Sequence, residues 1–87
     1  MEALDGNAIA GHLYEVFGRE MTTARGSCKS CGDNHMVGEL RVYLRAPGAV
    51  VRCPRCAGVL MVLVTVRGEA RIDTRGIDGM DPPPAGR

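Results

Sequence analysis

The 87-residue sequence contains no tryptophan, only two tyrosines and only one phenylalanine. This scarcity excludes a core built around aromatic rings, so we expect a core of aliphatic side chains and methionine. The sequence also lacks an excess of charge of either sign, with a formal net charge of +1 at pH 7. Net charge alone therefore predicts weak non-specific affinity for nucleic acid.

Long hydrophobic segments are absent as well. The longest apolar run is Val59–Val66, interrupted by one threonine, and a membrane-spanning helix needs about 20 apolar residues. Residues 1–10 contain two acidic residues, no basic residue and no apolar stretch typical of a signal peptide. We therefore expect a soluble, cytoplasmic protein that has no membrane partner.

Four cysteines form two C-x-x-C pairs, Cys28 with Cys31 and Cys53 with Cys56, and 21 residues separate the pairs. A two-residue gap lets one tight turn direct both thiols to a single point. Two such turns supply the four thiolates of a closed structural Zn²⁺ site. We therefore predict one structural zinc ion, which would also stabilise a chain too short for a large core.

Other uses of the cysteines remain open at this point. A mononuclear iron site would take the same ligands, and His35 could replace a cysteine because it follows Cys31 by four residues. A redox C-x-x-C motif is typical of a βαβ context, which the sequence does not predict. Disulfides are typical of extracellular chains and are disfavoured in a reducing cytoplasm.

The hydrophobic pattern predicts one helix followed by antiparallel strands. Asp5 is a suitable N-cap and Gly18 a suitable stop, so the helix should cover about residues 5–17. Its apolar stripe comprises Ile9, Leu13, Val16 and Phe17. Strands are predicted at 21–24, 38–45, 50–52, 59–67 and 70–74, with turns at 33–35 and 46–49 and a type II′ turn at 68–69. The folded domain should cover residues 1–76, and the Pro/Gly-rich residues 77–87 should form a flexible tail.

This arrangement resembles the zinc-ribbon fold group between residues 21 and 74. The resemblance rests on two motifs, Cys28-Lys29-Ser30-Cys31-Gly32 and Cys53-Pro54-Arg55-Cys56-Ala57-Gly58. In the second motif, Ala57 stands where glycine commonly follows the last cysteine. The resemblance implies a small, mostly-β zinc ribbon, with antiparallel hairpins and two C-x-x-C knuckles, plus one N-terminal α-helix.

The whole chain also resembles a family of small bacterial zinc-ribbon proteins known only as a domain of unknown function. Residues 1–11, 39–43 and 45–48 carry this resemblance. It implies an uncharacterised function and therefore adds no catalytic residue and no partner.

Basic residues near the second cysteine pair suggest a nucleic-acid interface. Five residues could form a basic patch with one stacking ring, although they could equally form a solvated face: Arg41, Tyr43, Arg45, Arg52 and Arg55. Arginine makes up ten of the eleven basic residues, a bias that a GC-rich genome would also produce.

The strand at 59–67 is apolar on both alternating faces. Such a pattern predicts burial on both sides, and an 87-residue chain has little material to cover a second face. The faces comprise Val59, Met61 and Leu63 on one side and Leu60, Val62, Val64 and Val66 on the other. An uncovered apolar face would mark an interface with a protein partner or a second copy of the chain.

We find no catalytic constellation and no evident small-molecule site in the sequence. His12 lies on the predicted helix, where a structural role is the ordinary outcome. The sequence therefore favours a non-catalytic, zinc-stabilised binding module for a protein partner or a homodimer. A nucleic-acid-binding zinc ribbon is the alternative.

Overall fold

The computed structural model describes residues 3–45 and 48–81. One α-helix, α1 (Ala10–Phe17), follows a 3₁₀ turn at Gly6–Ile9, and a second 3₁₀ turn lies at Val37–Glu39. The strands are β1 (Leu4–Asp5), β2 (Arg25–Cys28), β3 (Asn34–Met36), β4 (Arg41–Arg45), β5 (Gly48–Arg52), β6 (Val59–Val66), β7 (Glu69–Asp73) and β8 (Ile77–Asp81).

The strands form two antiparallel sheets. The larger sheet has the order β1-β4-β5-β6-β7, and the smaller has the order β3-β2-β8. Hairpins connect β4 to β5, β5 to β6 and β6 to β7, so most of the larger sheet is a simple meander. The predicted fold class, mostly-β with antiparallel hairpins and one N-terminal helix, is confirmed.

The helix ends where the sequence predicts, but α1 begins at Ala10, and a 3₁₀ turn capped by Asp5 occupies the predicted first turn. The Asp5 carboxylate accepts a hydrogen bond from the backbone N–H of Asn7 at 3.0 Å, which satisfies one of the free donors of the first turn. Gly18 adopts a left-handed φ of 73° and ends the helix. The first turn is 3₁₀ rather than α, and of the predicted stripe Ile9 and Leu13 are buried whereas Phe17 is exposed.

The core lies between the helix and one face of the larger sheet. Alternate residues along the central strands are buried there, and Ile9 and Leu13 join the same cluster. This core face of the sheet carries Val42, Ala49, Val51, Met61 and Leu63. The core is aliphatic with methionine, as the scarcity of aromatic residues predicts.

The opposite face of the larger sheet is open, which corrects the prediction that β6 is buried on both sides. Val62 is 37% exposed and Val66 is 44% exposed. Within the described residues, nothing packs over these side chains because the single helix lies on the core face. A register shift between Val51 and Arg52 brings the extra residue, Leu60, into the core instead.

Several predicted boundaries also need correction. The predicted strand at 21–24 is a turn, β2 begins at Arg25, and part of the turn predicted at 33–35 is strand β3. The strand predicted from residue 38 begins only at Arg41, because a 3₁₀ turn occupies Val37–Glu39. The Glu39 carboxylate stabilises this turn by accepting a hydrogen bond from the Met36 N–H at 2.9 Å.

The turn between β6 and β7 also differs from the prediction. It consists of Arg67 and Gly68, whose φ values of 52° and 79° have the signs of a type I′ rather than a type II′ turn. Part of the turn predicted at 46–49 lies outside the described residues.

The folded region extends beyond residue 76, the predicted C-terminal boundary of the domain. Residues 77–81 were expected to start the tail, but they form β8, which pairs with β2 from Cys28↔Ile77 to Arg25↔Asp81. The apolar side chain of Ile77 is 6% exposed and belongs to the core, which explains why this segment joins the sheet. The remainder of the predicted tail, residues 82–87, lies outside the described residues.

Gly76 connects the two sheets and has no room for a side chain. Its N–H donates to Leu60 O at 3.1 Å, and its carbonyl accepts from the Lys29 N–H at 3.0 Å. A Cβ atom at this position would lie 2.0 Å from the carbonyl oxygen of Val59. The backbone must therefore move before any larger residue can fit.

We expect Gly76→Ala to destabilise the protein by about 1–3 kcal/mol through this overpacking. Gly11→Ala is the matched control, since a Cβ atom there meets nothing within 4 Å. On an exposed helix position that control should be neutral or stabilise by about 0.5–1 kcal/mol. Thermal denaturation followed by circular dichroism measures both, and equal melting temperatures for the two variants would contradict the close approach at Gly76.

Candidate metal centre

Two knuckle turns of nearly identical backbone geometry present the four cysteines. In the first knuckle, the Cys28 N–H donates to Asp33 O at 2.9 Å, and the Gly32 N–H donates to Cys28 O at 2.8 Å. In the second knuckle, the Cys53 N–H donates to Gly58 O at 2.9 Å and the Ala57 N–H to Cys53 O at 2.9 Å. The repeated C-x-x-C motif therefore folds into a repeated structure.

The residue after each second cysteine has a left-handed backbone conformation. Gly32 has a φ of 80°, and Ala57, at the equivalent position, has a φ of 63°. Glycine adopts this conformation without penalty, whereas a Cβ atom costs about 1–2 kcal/mol there. The departure from glycine at Ala57 therefore strains the second knuckle without changing its hydrogen bonds.

Ala57→Gly should relieve this strain and raise the free energy of unfolding by up to about 1 kcal/mol. Gly32→Ala makes the reverse change in the first knuckle and should lower it by a similar amount. Equilibrium unfolding of the metal-loaded variants in guanidinium chloride measures both. Two changes of the same sign would show that the left-handed conformation does not control the stability of the knuckles.

The knuckles bring the four sulfur atoms into one cluster. The Sγ atoms of Cys28, Cys31, Cys53 and Cys56 all lie within 4.8 Å of one another. Two of the separations join the knuckles directly, Cys28 to Cys56 at 3.6 Å and Cys31 to Cys53 at 3.7 Å. Zn–S bonds of about 2.3 Å in a tetrahedron place sulfur atoms about 3.8 Å apart. The four cysteines therefore fit a tetrahedral ion of this size.

Backbone N–H groups point at the cluster. The Arg55 N–H donates to Cys53 Sγ and the Gly58 N–H donates to Cys56 Sγ, each at 3.4 Å. Such donors stabilise sulfur in its charged form and orient it. Cys28 and Cys53 are buried while Cys31 and Cys56 are exposed, so the cluster has one side in the core and one at the surface.

Without a cation, the pKa values of Cys28, Cys31 and Cys56 are shifted in opposite directions. The backbone N–H of Cys31 is the main reason that the pKa of Cys28 is lowered to about 7. The Asp33 N–H favours the Cys31 thiolate, but desolvation and the other three thiols outweigh it and raise the pKa of Cys31 to about 12. The pKa of Cys56 is also raised, although the Gly58 N–H opposes the shift. Four charged sulfurs at this spacing thus require a metal cation.

Asp33 links the two knuckles outside the cluster. Its carboxylate lies 2.9 Å from Nε2 of His35 and 3.4 Å from Nη1 of Arg55. His35 therefore contacts Asp33 and is not among the four clustered ligands, which leaves its use as a replacement ligand without support. Sequence reasoning missed Asp33 because its two partners come from different segments, 2 and 22 residues away.

The candidate nucleic-acid residues are partly brought together. Arg41, Tyr43 and Arg45 alternate with Val42, which is buried, and Leu44, which is exposed. They therefore share the open face of the larger sheet, and Arg52 joins them from β5. Arg55 is separate from this group, because it lies in the second knuckle against Asp33. Tyr43, Arg45, Val50 and Arg52 line a groove of about 310 Å³. We call these four and Arg41 the Arg/Tyr surface.

A family model covers nearly the whole sequence. It is described as "Family of unknown function (DUF6510)" and matches residues 1–85. The chain belongs to the DUF6510 family. No curated protein and no solved structure matches the chain. Among the described residues, no helix has the length and apolar character needed to cross a membrane.

Membership in DUF6510 assigns no activity, so the function must be inferred from this chain's own chemistry. Two features carry that chemistry: the four-cysteine cluster and the open face of the larger sheet, one strand of which leads directly into the cluster. β5 ends at Arg52, directly before Cys53, and β2 ends at Cys28 itself. The cluster therefore fixes the ends of strands in both sheets.

Proposed function

We propose that this DUF6510 protein is a non-catalytic binding module stabilised by one structural zinc ion. The observation that supports the proposal most directly is the convergence of four cysteine sulfurs within 4.8 Å of one another. A set of four thiolates fills the tetrahedral shell of Zn²⁺ and leaves no open position for substrate or activated water. Structural rather than catalytic metal chemistry follows from that ligand set.

Zinc suits the site better than the alternatives. Four sulfur ligands in a tetrahedral arrangement are typical of Zn²⁺ or of iron–sulfur chemistry, and Zn²⁺ has no redox chemistry to disturb a structural role. A small core gains most from such an ion, because about 10–16 kcal/mol of apparent binding free energy can be coupled to folding. The thiolates also favour a reducing compartment, for which we propose the cytoplasm.

The direct test of zinc binding is the metal content of the purified protein. Native mass spectrometry of the full chain, purified under reducing conditions, should show a folded species one zinc ion heavier than the polypeptide. Elemental analysis of the same sample separates zinc from iron. A folded, reduced species that carries no metal would contradict the proposal.

The binding role rests on the open face of the larger sheet. One face is covered by α1 and forms the core, whereas the other presents both apolar and basic side chains to solvent. A sheet that has one uncovered apolar face is typical of an interaction surface. The knuckles hold the strands of this face in register, which gives the metal an indirect part in binding.

A second candidate function is contact with another protein or a second copy through β6. The observation in its favour is the exposure of Val62 at 37% and Val66 at 44% on that strand. Multi-angle light scattering of the zinc-loaded protein tests the homodimer. A dimer that Val62→Lys converts to a monomer would support this use of the face, and a monomer at all concentrations would exclude the homodimer.

A further inference from the structure

We propose that the Arg/Tyr surface binds single-stranded nucleic acid, with the arginines contacting phosphates and Tyr43 stacking on a base. The inference rests on the proposed function, since it names the partner of the zinc-stabilised module. The groove formed by Tyr43, Arg45, Val50 and Arg52 is its centre. Four observations favour a polyanion with aromatic bases, rather than a protein, as the partner of this surface.

The first observation is the distribution of ion pairs. Arg55, Arg71 and Arg75 are paired with Asp33, Glu69 and Asp73 at 3.0–3.4 Å. Among the described side chains, those of residues 3–45 and 48–80, no carboxylate lies within 4.0 Å of the guanidinium groups of Arg41, Arg45 or Arg52. Arg45 and Arg52 therefore have no adjacent counter-charge on this face, whereas Arg41 has Asp5 as its direct partner on β1. Arg19, Arg25 and Arg67 are also outside the ion pairs, but they lie apart from the sheet face.

The second observation is a like-charge pair across the sheet. Arg41 and Arg52 are direct partners in the β4–β5 ladder, an arrangement in which equal charges repel. Asp5, the partner of Arg41 on β1, offsets part of this repulsion from the other side. Arg52 donates through Nη1 to Ala57 O at 2.8 Å, which holds it at this place beside the second knuckle. A phosphate group near the pair would offset the repulsion and accept hydrogen bonds from both guanidinium groups.

The third observation is the position of Tyr43. It lies between Arg41 and Arg45 on the same face of β4, and residues two apart on a strand are about 6.6 Å apart. Val50 is its direct partner on β5 and lines the same groove. An aromatic ring on an apolar floor between arginines is the arrangement that single-strand binders use to stack bases and contact the backbone.

The fourth observation separates this surface from the apolar part of the same face. Val62 and Val66 lie on β6, and the acidic residues nearest to them on β7, Glu69 and Asp73, already bind Arg71 and Arg75. The β6–β7 part of the face is therefore neutral and offers no matching negative charge to the arginines of a second copy. An external polyanion supplies that charge.

The test is binding of the zinc-loaded full chain to fluorescein-labelled 12-mers of mixed sequence. Single-stranded RNA, single-stranded DNA and duplex DNA are compared by fluorescence anisotropy at several salt concentrations. Binding to either single strand is expected, with log K falling against log salt with a slope of about −2 for three phosphate contacts. Failure to bind both single strands, or binding to duplex alone, would overturn the inference.

Matched variants locate the contact. Arg45→Gln should weaken single-strand binding and make the salt slope less steep by about 0.7. Arg67→Gln, at an exposed turn, should leave the affinity and the slope unchanged. Tyr43→Ala should weaken binding about 5- to 150-fold, and Tyr43→Phe should retain it because the ring remains. Equal losses from Arg45→Gln and Arg67→Gln would indicate non-specific attraction and overturn the assignment.

Zinc content, measured on every sample, separates this inference from the proposed function. Protein that carries one zinc ion and fails to bind single strands overturns the inference and leaves the zinc-stabilised module intact. Protein that folds without metal overturns the proposed function. A zinc-loaded chain that is dimeric at every concentration and binds neither single strand would show that a second copy occupies the face, which also overturns the inference.

Discussion

Cys53→Ser is expected to leave the chain unfolded at 25 °C. Cys53 is 1% exposed and lies between the core and the sulfur cluster, so the substitution removes a metal ligand and buries a hydroxyl group. Loss of a structural zinc site forfeits much of about 10–16 kcal/mol of coupled binding free energy. A small domain has only about 5–15 kcal/mol of net stability, and the variant should therefore lose cooperative melting.

Circular dichroism and metal analysis of the same samples measure this effect. Ser30→Ala is the control, because Ser30 lies in the turn of the first knuckle, is exposed and is not a ligand. The control should retain one zinc ion and a melting temperature close to that of the original protein. A Cys53→Ser protein that keeps its zinc and its melting curve would refute the structural role of the cluster.

Acidification is expected to release the metal cooperatively. Each thiol that must lose its proton to bind zinc changes the apparent affinity by about tenfold per pH unit below its own pKa, near 8.5 in an unfolded chain. Four ligands act together, so the apparent affinity should fall by several orders of magnitude between pH 8 and pH 6. Competition with a chromophoric zinc chelator across this range measures the slope, and an affinity independent of pH would contradict thiolate ligation.

If no cation were bound, the thiol pKa shifts within the cluster would couple the stability of the folded state to pH in opposite directions. Because the pKa of Cys31 is raised to about 12, this thiol contributes to the stability of the folded state below the unfolded pKa near 8.5. That contribution is lost as the pH rises from 8.5 through 12. Because the pKa of Cys28 is lowered to about 7, this thiol contributes to the stability of the folded state above pH 8.5. That contribution is lost as the pH falls through 7. With the proposed zinc ion bound, all four sulfurs would be ionised and this opposition would disappear, so we expect the loaded protein to gain stability as the pH rises towards about 8.5.

The features that the sequence predicts correctly depend on local chemistry. The Asp5 cap, the Gly18 stop and the two knuckles each need only residues within about five positions. The alternation of β4 likewise identifies which residues share a face, including Arg41, Tyr43 and Arg45. These elements form because short-range hydrogen bonds and spacing determine them.

The features that the sequence predicts wrongly depend on distant segments. Whether both faces of β6 are covered depends on how many other elements are available, and the apolar pattern carries no information about that number. Residues 77–81 contain few apolar residues, yet Ile77 enters the core opposite Cys28. The bulge that buries Leu60 also arises from a pairing register that spans two strands.

The pairing of β2 with β8 has a consequence for synthesis on the ribosome. All four cysteines and both turns are complete once Gly58 has been made, but the strand that pairs with Cys28 begins at Ile77 and is made later. A nascent chain can therefore capture its ion before its smaller sheet exists. The ion would then hold β2 in place until β8 arrives to pair with it.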